Sequence, residues 1–130
     1  MQKLLLLIVC LACLPNTASA LALGALEVQS SLNQRLEARI LLHRVDLDEV
    51  DDIQVGLGDK AAFIRAGLEP SFVLTSLRFT VRQSDTGETY IAVSSKERIR
   101  EPYLNLVVDV YSPSGHILKE YSLLLNAAGS

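Results

Sequence analysis

Leu77-Arg78-Phe79-Thr80-Val81-Arg82, Gln83-Ser84-Asp85-Thr86-Gly87-Glu88 and Thr89-Tyr90-Ile91-Ala92-Val93-Ser94 follow one another without a break. In the first six residues Leu77, Phe79 and Val81 share one side of an extended chain, and Arg78, Thr80 and Arg82 share the other, because successive strand side chains point to opposite faces. Ile91 and Val93 repeat that spacing after the turn formers Ser84-Asp85-Thr86-Gly87, in which Gly87 is free to take positive φ. The stretch predicts a hairpin with strands over 77–82 and 89–94, buried on one face.

The same period of two recurs on both sides. Leu26 and Val28 alternate with Glu27 and Gln29, and Leu36, Ala38, Ile40 and Leu42 alternate with Glu37, Arg39, Leu41 and His43. Ile53, Val55 and Leu57 predict a further short strand. Residues 104–111 and 116–125 are partly apolar on both faces, which predicts central strands covered by a second layer. Ser112-Pro113-Ser114-Gly115 joins them, with Pro113 presetting φ for the turn. Two intervals break the period. Asp46-Leu47-Asp48-Glu49 reads as a capping box opening a helical turn over 47–52. Asp59 is placed to cap a second helix over 60–66, stopped by Gly67. The sum is a mainly β fold: an immunoglobulin-like antiparallel β-sandwich of about seven strands with two short crossover helices, a small β-barrel being the alternative.

Those segments account for most of the 130 residues, and the remainder is an address. Met1-Gln2-Lys3 supplies a positive start, Leu4 to Leu14 an apolar run, and Ala18-Ser19-Ala20 a small-x-small cleavage site. Residues 1–20 therefore read as a cleaved secretory signal, with a second cut possible after Ala22. A spanning helix needs about 20 apolar residues, and Pro15-Asn16-Thr17 interrupts too early for one. Both cysteines, Cys10 and Cys13, lie in this leader, so the mature chain has no disulfide framework. Cys13 lacks the residue pattern that precedes a lipidated cysteine, since Cys10 stands where Leu is wanted. The β domain is expected over 23–126 and a short tail over 127–130.

Composition narrows the function classes. A chain 49% hydrophobic and 21% charged is globular rather than disordered, and one small core leaves no room for a deep cofactor cleft. The net charge of −3 argues against nucleic acid, whose binding depends on neutralising phosphates. Only His43 and His116 offer a base near neutral pH, both at strand ends, and no nucleophile elbow, phosphate loop or zinc motif is present. Asp46, Asp48, Glu49, Asp51 and Asp52 superficially suit calcium. However, Leu47, Val50 and Ile53 at three-residue spacing describe a helix with its acids in solvent, favoured by the helix dipole. No catalytic residue, cofactor or metal is assigned.

The candidate interaction surface is Lys96, Arg98, Arg100, Glu101 and Tyr103, read as a charged loop before the strand at 104. Alternating charge there deters edge-to-edge aggregation and also suits an anionic partner. Arg78 and Arg82 extend the same surface on this reading. Tyr90, Tyr103, Tyr111 and Tyr121 are the aromatics most usable for contact.

Several stretches together resemble the N-terminal periplasmic domain of the FimV family, proteins of type IV pilus assembly and twitching motility in Gram-negative bacteria. They begin with Leu23-Gly24-Ala25-Leu26-Glu27-Val28-Gln29-Ser30-Ser31-Leu32-Asn33-Gln34 and continue with Ala62-Phe63-Ile64-Arg65-Ala66-Gly67-Leu68 and Leu77-Arg78-Phe79. The acidic helix over 47–52 belongs to the match, and Ser94-Ser95, Arg100-Glu101-Pro102-Tyr103-Leu104-Asn105, Pro113-Ser114-Gly115 and Leu118-Lys119-Glu120-Tyr121-Ser122-Leu123-Leu124-Leu125 complete it. The resemblance implies a periplasmic, non-catalytic interaction module whose partners are envelope proteins of pilus assembly. Full-length members add a LysM peptidoglycan-binding module, a membrane helix and an acidic cytoplasmic region, none of which occurs in these 130 residues. The sequence is thus expected to be a solo domain or a fragment ending at a linker. Peptidoglycan or another envelope glycan is the alternative ligand, unsupported by LysM or by Trp.

Overall fold

The computed structural model describes residues 21–127. The leader read in residues 1–20 and the last three residues of the tail lie outside them. Seven strands form two antiparallel sheets: β1 (Ala22–Val28), β2 (Arg35–His43), β3 (Gln54–Leu57), β4 (Leu77–Gln83), β5 (Thr89–Arg98), β6 (Tyr103–Ser112) and β7 (Gly115–Leu124). One sheet has the order β1-β2-β5-β4 and the other β3-β6-β7. The two ladders remain separate, so the sandwich forms and the barrel does not.

The alternation read in the sequence becomes the core. Leu36, Ala38, Ile40 and Leu42 of β2 and Ile91 and Val93 of β5 are buried, as are Leu104, Leu106, Val108 and Val110 of β6 and Leu123 of β7. Each fully buried Val, Leu or Ile contributes about 1.5–3 kcal/mol relative to leaving it in water. The expected hairpin is in place, with Val81 opposite Ile91 and Phe79 opposite Val93. Its turn closes through Ser84 N–H donating to the Glu88 carbonyl at 2.8 Å, and Gly87 has φ +87°.

Where the edges of the two sheets meet, side chains take over from backbone. Register slips between Leu23 and Leu26 of β1, and the Tyr121 hydroxyl on β7 donates to the Gly24 carbonyl at 2.7 Å. Lys119 Nζ donates to the Leu23 carbonyl at 3.1 Å. A Cβ on Gly24 would lie 2.8 Å from His43 Nε2 and 3.2 Å from the Leu41 carbonyl, so a larger residue there would require the exposed His43 ring to move aside.

The helical intervals also form. Leu47–Asp52 is a 3-10 helix (η1), with Asp46 Oδ1 accepting from the Asp48 N–H. The capping box is only half made, because Glu49 Oε2 accepts from the Ser114 hydroxyl at 2.6 Å. Lys60–Arg65 is an α-helix (α1), capped by Asp59 Oδ1 accepting from the Ala62 N–H at 2.8 Å. It ends in a Schellman turn: Leu68 N–H donates to the Phe63 carbonyl, Gly67 N–H to the Ile64 carbonyl, and Gly67 has φ +74°.

Three features depart from the expectation. A third helical segment, Phe72–Ser76 (η2), leads into β4 where no element was read. Residues 116–125 were expected to be central, but β7 is the edge of its sheet and most of its outward side chains are exposed, leaving β6 alone covered on both faces. Finally, β5 runs on to Arg98, four residues past the end read at Ser94, so Lys96 and Arg98 belong to a strand and not to a loop.

Candidate functional site

The basic surface is built by an irregularity in β5. Glu37 is opposite Ser94, yet Arg35, two residues away on β2, is opposite Arg98, four residues away on β5. Two extra residues must be absorbed, and the Ser95 side chain does this. Its hydroxyl accepts from the Leu36 N–H at 2.7 Å and donates to the Glu97 carbonyl at 2.6 Å, replacing ladder bonds that the bulge removes. Ser95 is buried, and Lys96, Glu97 and Arg98 are then all exposed in succession. Ile99 N–H donates to the Gln34 carbonyl and Asn33 N–H to the Ile99 carbonyl, which pins the segment after the bulge to the β1–β2 loop. Ile99 is completely buried.

These constraints hold Lys96, Arg98, Arg100 and Glu101 around one open depression of about 590 Å³, at the end of the sandwich where β5 outruns β4. Arg35, Glu97 and Val73 complete its lining. Four cations thus share the depression with two carboxylates. Among the described residues the ion pair is His116–Asp109, on another face, so none of the four cations is paired with a carboxylate. Glu101 is instead hydrogen-bonded by the Ser71 hydroxyl at 3.4 Å.

Of the residues read from the sequence, Tyr103 stands apart from this depression. It opens β6 opposite Leu124, and its hydroxyl donates to Ser122 Oγ at 3.4 Å. Arg78 and Arg82 are also elsewhere. They lie opposite Ser94 and Tyr90 on the solvent face of the four-stranded sheet, where Arg39 sits 4.6 Å over the Tyr90 ring. Sequence reasoning missed Arg35, Val73 and Glu97. Arg35 reads locally as the solvated start of a strand, and only register places it beside Arg98. Val73 belongs to η2, which has no periodic signature of its own.

The other candidates resolve into structural roles. His116 Nε2 is 2.5 Å from Asp109 Oδ1, and its ring stacks on Tyr111 with centroids 4.0 Å apart. The Ser114 hydroxyl points to Glu49, and no hydrogen bond among the described residues joins a hydroxyl to either histidine. Among the acids of 46–52, Asp46 caps η1 and Glu49 holds the β6–β7 turn; no three potential metal ligands converge among the described residues. Burial pushes the Tyr121 phenol up to about 12.

Comparison with known proteins supplies the remaining facts. The model of the FimV N-terminal Ig-like domain matches residues 21–128. Two proteins named motility hub protein FimV, from two strains of Pseudomonas aeruginosa, are each 38% identical to the chain over 114 residues, 84% of its length. The chain spans 12% of the length of these relatives. No solved structure matches it.

Proposed function

Because the chain belongs to the FimV N-terminal Ig-like domain family, we propose that it is a non-catalytic protein-interaction module of the periplasm that supports type IV pilus assembly or envelope organisation. The relatives are named motility hub proteins, and a hub acts by holding partners. The observation that carries the reading is the basic depression in which Arg35, Lys96, Arg98 and Arg100 outnumber Glu97 and Glu101, in a chain whose net charge is −3. Charge concentrated against the sign of the whole molecule steers an oppositely charged partner to one place. Export through the leader at residues 1–20 puts that surface in the periplasm. None of the described helices is long and apolar enough to cross a membrane.

The test is capture from envelope extract by the immobilised domain, with mass spectrometry of bound proteins and cell fractionation alongside. Recovery of pilus-assembly components, lost with Arg98→Glu/Arg100→Glu, supports the reading. Equal recovery by both forms removes the basic surface from it. Pelleting with purified sacculi, undiminished in the variant, would replace a protein partner with a glycan.

A further inference from the structure

The basic depression carries more than a sign of charge. Arg35 and Arg98 are register partners on adjacent antiparallel strands. Like charges directly opposite one another destabilise a sheet, and among the described residues neither guanidinium has a carboxylate partner. Arg100 and Lys96 add to the same field. Three of the four cations are arginines, whose planar fork matches a carboxylate with two parallel hydrogen bonds. An anion held between them would relieve the repulsion that the fold alone leaves in place.

A second observation concerns η2. Val73 lines the depression, and Phe72, its neighbour in the chain though not itself a lining residue, is 89% exposed, the most exposed large apolar side chain among the described residues. Phe72 opens η2, whose Leu74 is buried, so the helical turn is anchored on one side and presents the aromatic ring on the other. The surface therefore offers a group of cations around one apolar lining residue, Val73, with the exposed ring of Phe72 next to it in the chain.

We propose that this depression is a docking site for an acidic peptide segment, with carboxylates between Arg35, Arg98 and Arg100 and one apolar side chain against Val73 and Phe72. The inference rests on the protein-interaction reading above and names the chemistry of its partner. Shape and charge favour a peptide over an anionic membrane surface. The site is concave, and Glu97 and Glu101 on its lining would face a dense sheet of like charge. Against a peptide those two carboxylates set register, rejecting further acidic residues at their own positions.

The probe is a pool of fluorescent ten-residue peptides, each with several glutamates and one leucine or phenylalanine at a varied position, measured by anisotropy against the same pool with glutamine for glutamate. The acidic pool binds, the glutamine pool does not, and raising salt from about 50 to about 300 mM weakens binding several-fold as screening shortens. Arg35→Gln and Arg98→Gln each weaken it about tenfold. Phe72→Ser weakens it about threefold and leaves the salt dependence unchanged. Circular dichroism confirms that every variant folds.

No preference for the acidic pool overturns the proposal. So does equal binding by the arginine variants, or cosedimentation with phosphatidylglycerol vesicles without peptide binding. Failure of the peptide together with Arg98-dependent capture from envelope leaves the interaction reading standing and removes only this partner chemistry. Peptide binding together with Arg98-independent capture keeps the acidic-peptide chemistry of the depression and removes this surface from the captured interaction.

Discussion

Ser95 is a single hydroxyl on which the shape of the basic end depends. Removing it leaves the Leu36 N–H without its acceptor in a buried place, and an orphaned buried donor costs about 1–3 kcal/mol. Ser95→Ala is expected to lower stability by that amount in urea unfolding, and a change within experimental error would show that the bulge closes without it. Tyr121 makes the corresponding link on the β1 side, donating to the Gly24 carbonyl. Burial disfavours the charged form and pushes its phenol from the ordinary value of 10.0, which the unfolded chain keeps, up to about 12 in the fold. Below pH 10 both states hold the proton. Between about pH 10 and about 12 the unfolded tyrosine ionises while the folded one stays neutral, so stability falls as pH rises through that window. Tyr121→Phe should flatten this fall while costing about 1 kcal/mol at neutral pH for the lost hydrogen bond. Urea midpoints from pH 8 to 11.5, wild type against variant, separate the two effects, since the other tyrosines and lysines are common to both. Parallel profiles would mean that Tyr121 ionises with equal ease in both states.

At the scale of elements, α1 shows how much a six-residue helix owes to its ends and its packing. Helices this short are not stable alone in water. Asp59 holds the first turn, the Schellman turn at Gly67 holds the last, and Ala62 and Phe63 are buried beneath. Asp59→Ala removes the acceptor for the Ala62 N–H and should cost about 1 kcal/mol. It should also raise amide exchange in residues 60–66 more than in β2 or β5; uniform acceleration would place the loss elsewhere. The capping box at 46–49 behaves differently. Asp46 caps as its position requires, but Glu49 turns outward to Ser114 across the β6–β7 turn. A side chain with two available partners is decided by what tertiary structure brings near it. The same holds for β7, whose apolar content suggested a covered strand. Leu118 and Leu124 are instead exposed at an edge, 41% and 64% respectively.

Over the whole molecule, two sheets bury one apolar layer and leave the charges to arrange themselves around it. The basic depression is a place where that arrangement opposes stability, through Arg35 against Arg98. Arg35→Gln should therefore raise the melting temperature slightly at low salt, a gain that fades as salt screens the repulsion, while peptide binding falls. A lower melting temperature at every salt concentration would show that the guanidinium supports the fold. The strands at 77–82 and 89–94, their turn and both capped helices were legible because each rests on contacts within a few residues. Alternation and turn chemistry alone determined a mainly β chain of about seven strands, most of them with one buried face. They also marked Lys96, Arg98 and Arg100 as a charged group, though as a loop. The extension of β5, the arrival of Arg35 at Arg98, the placing of Val73 beside them and the exclusion of Tyr103 were decided only by tertiary structure. The bulge exists because a serine hydroxyl meets an N–H 59 residues away in the chain, and which strands become neighbours is a long-range choice that no local pattern encodes.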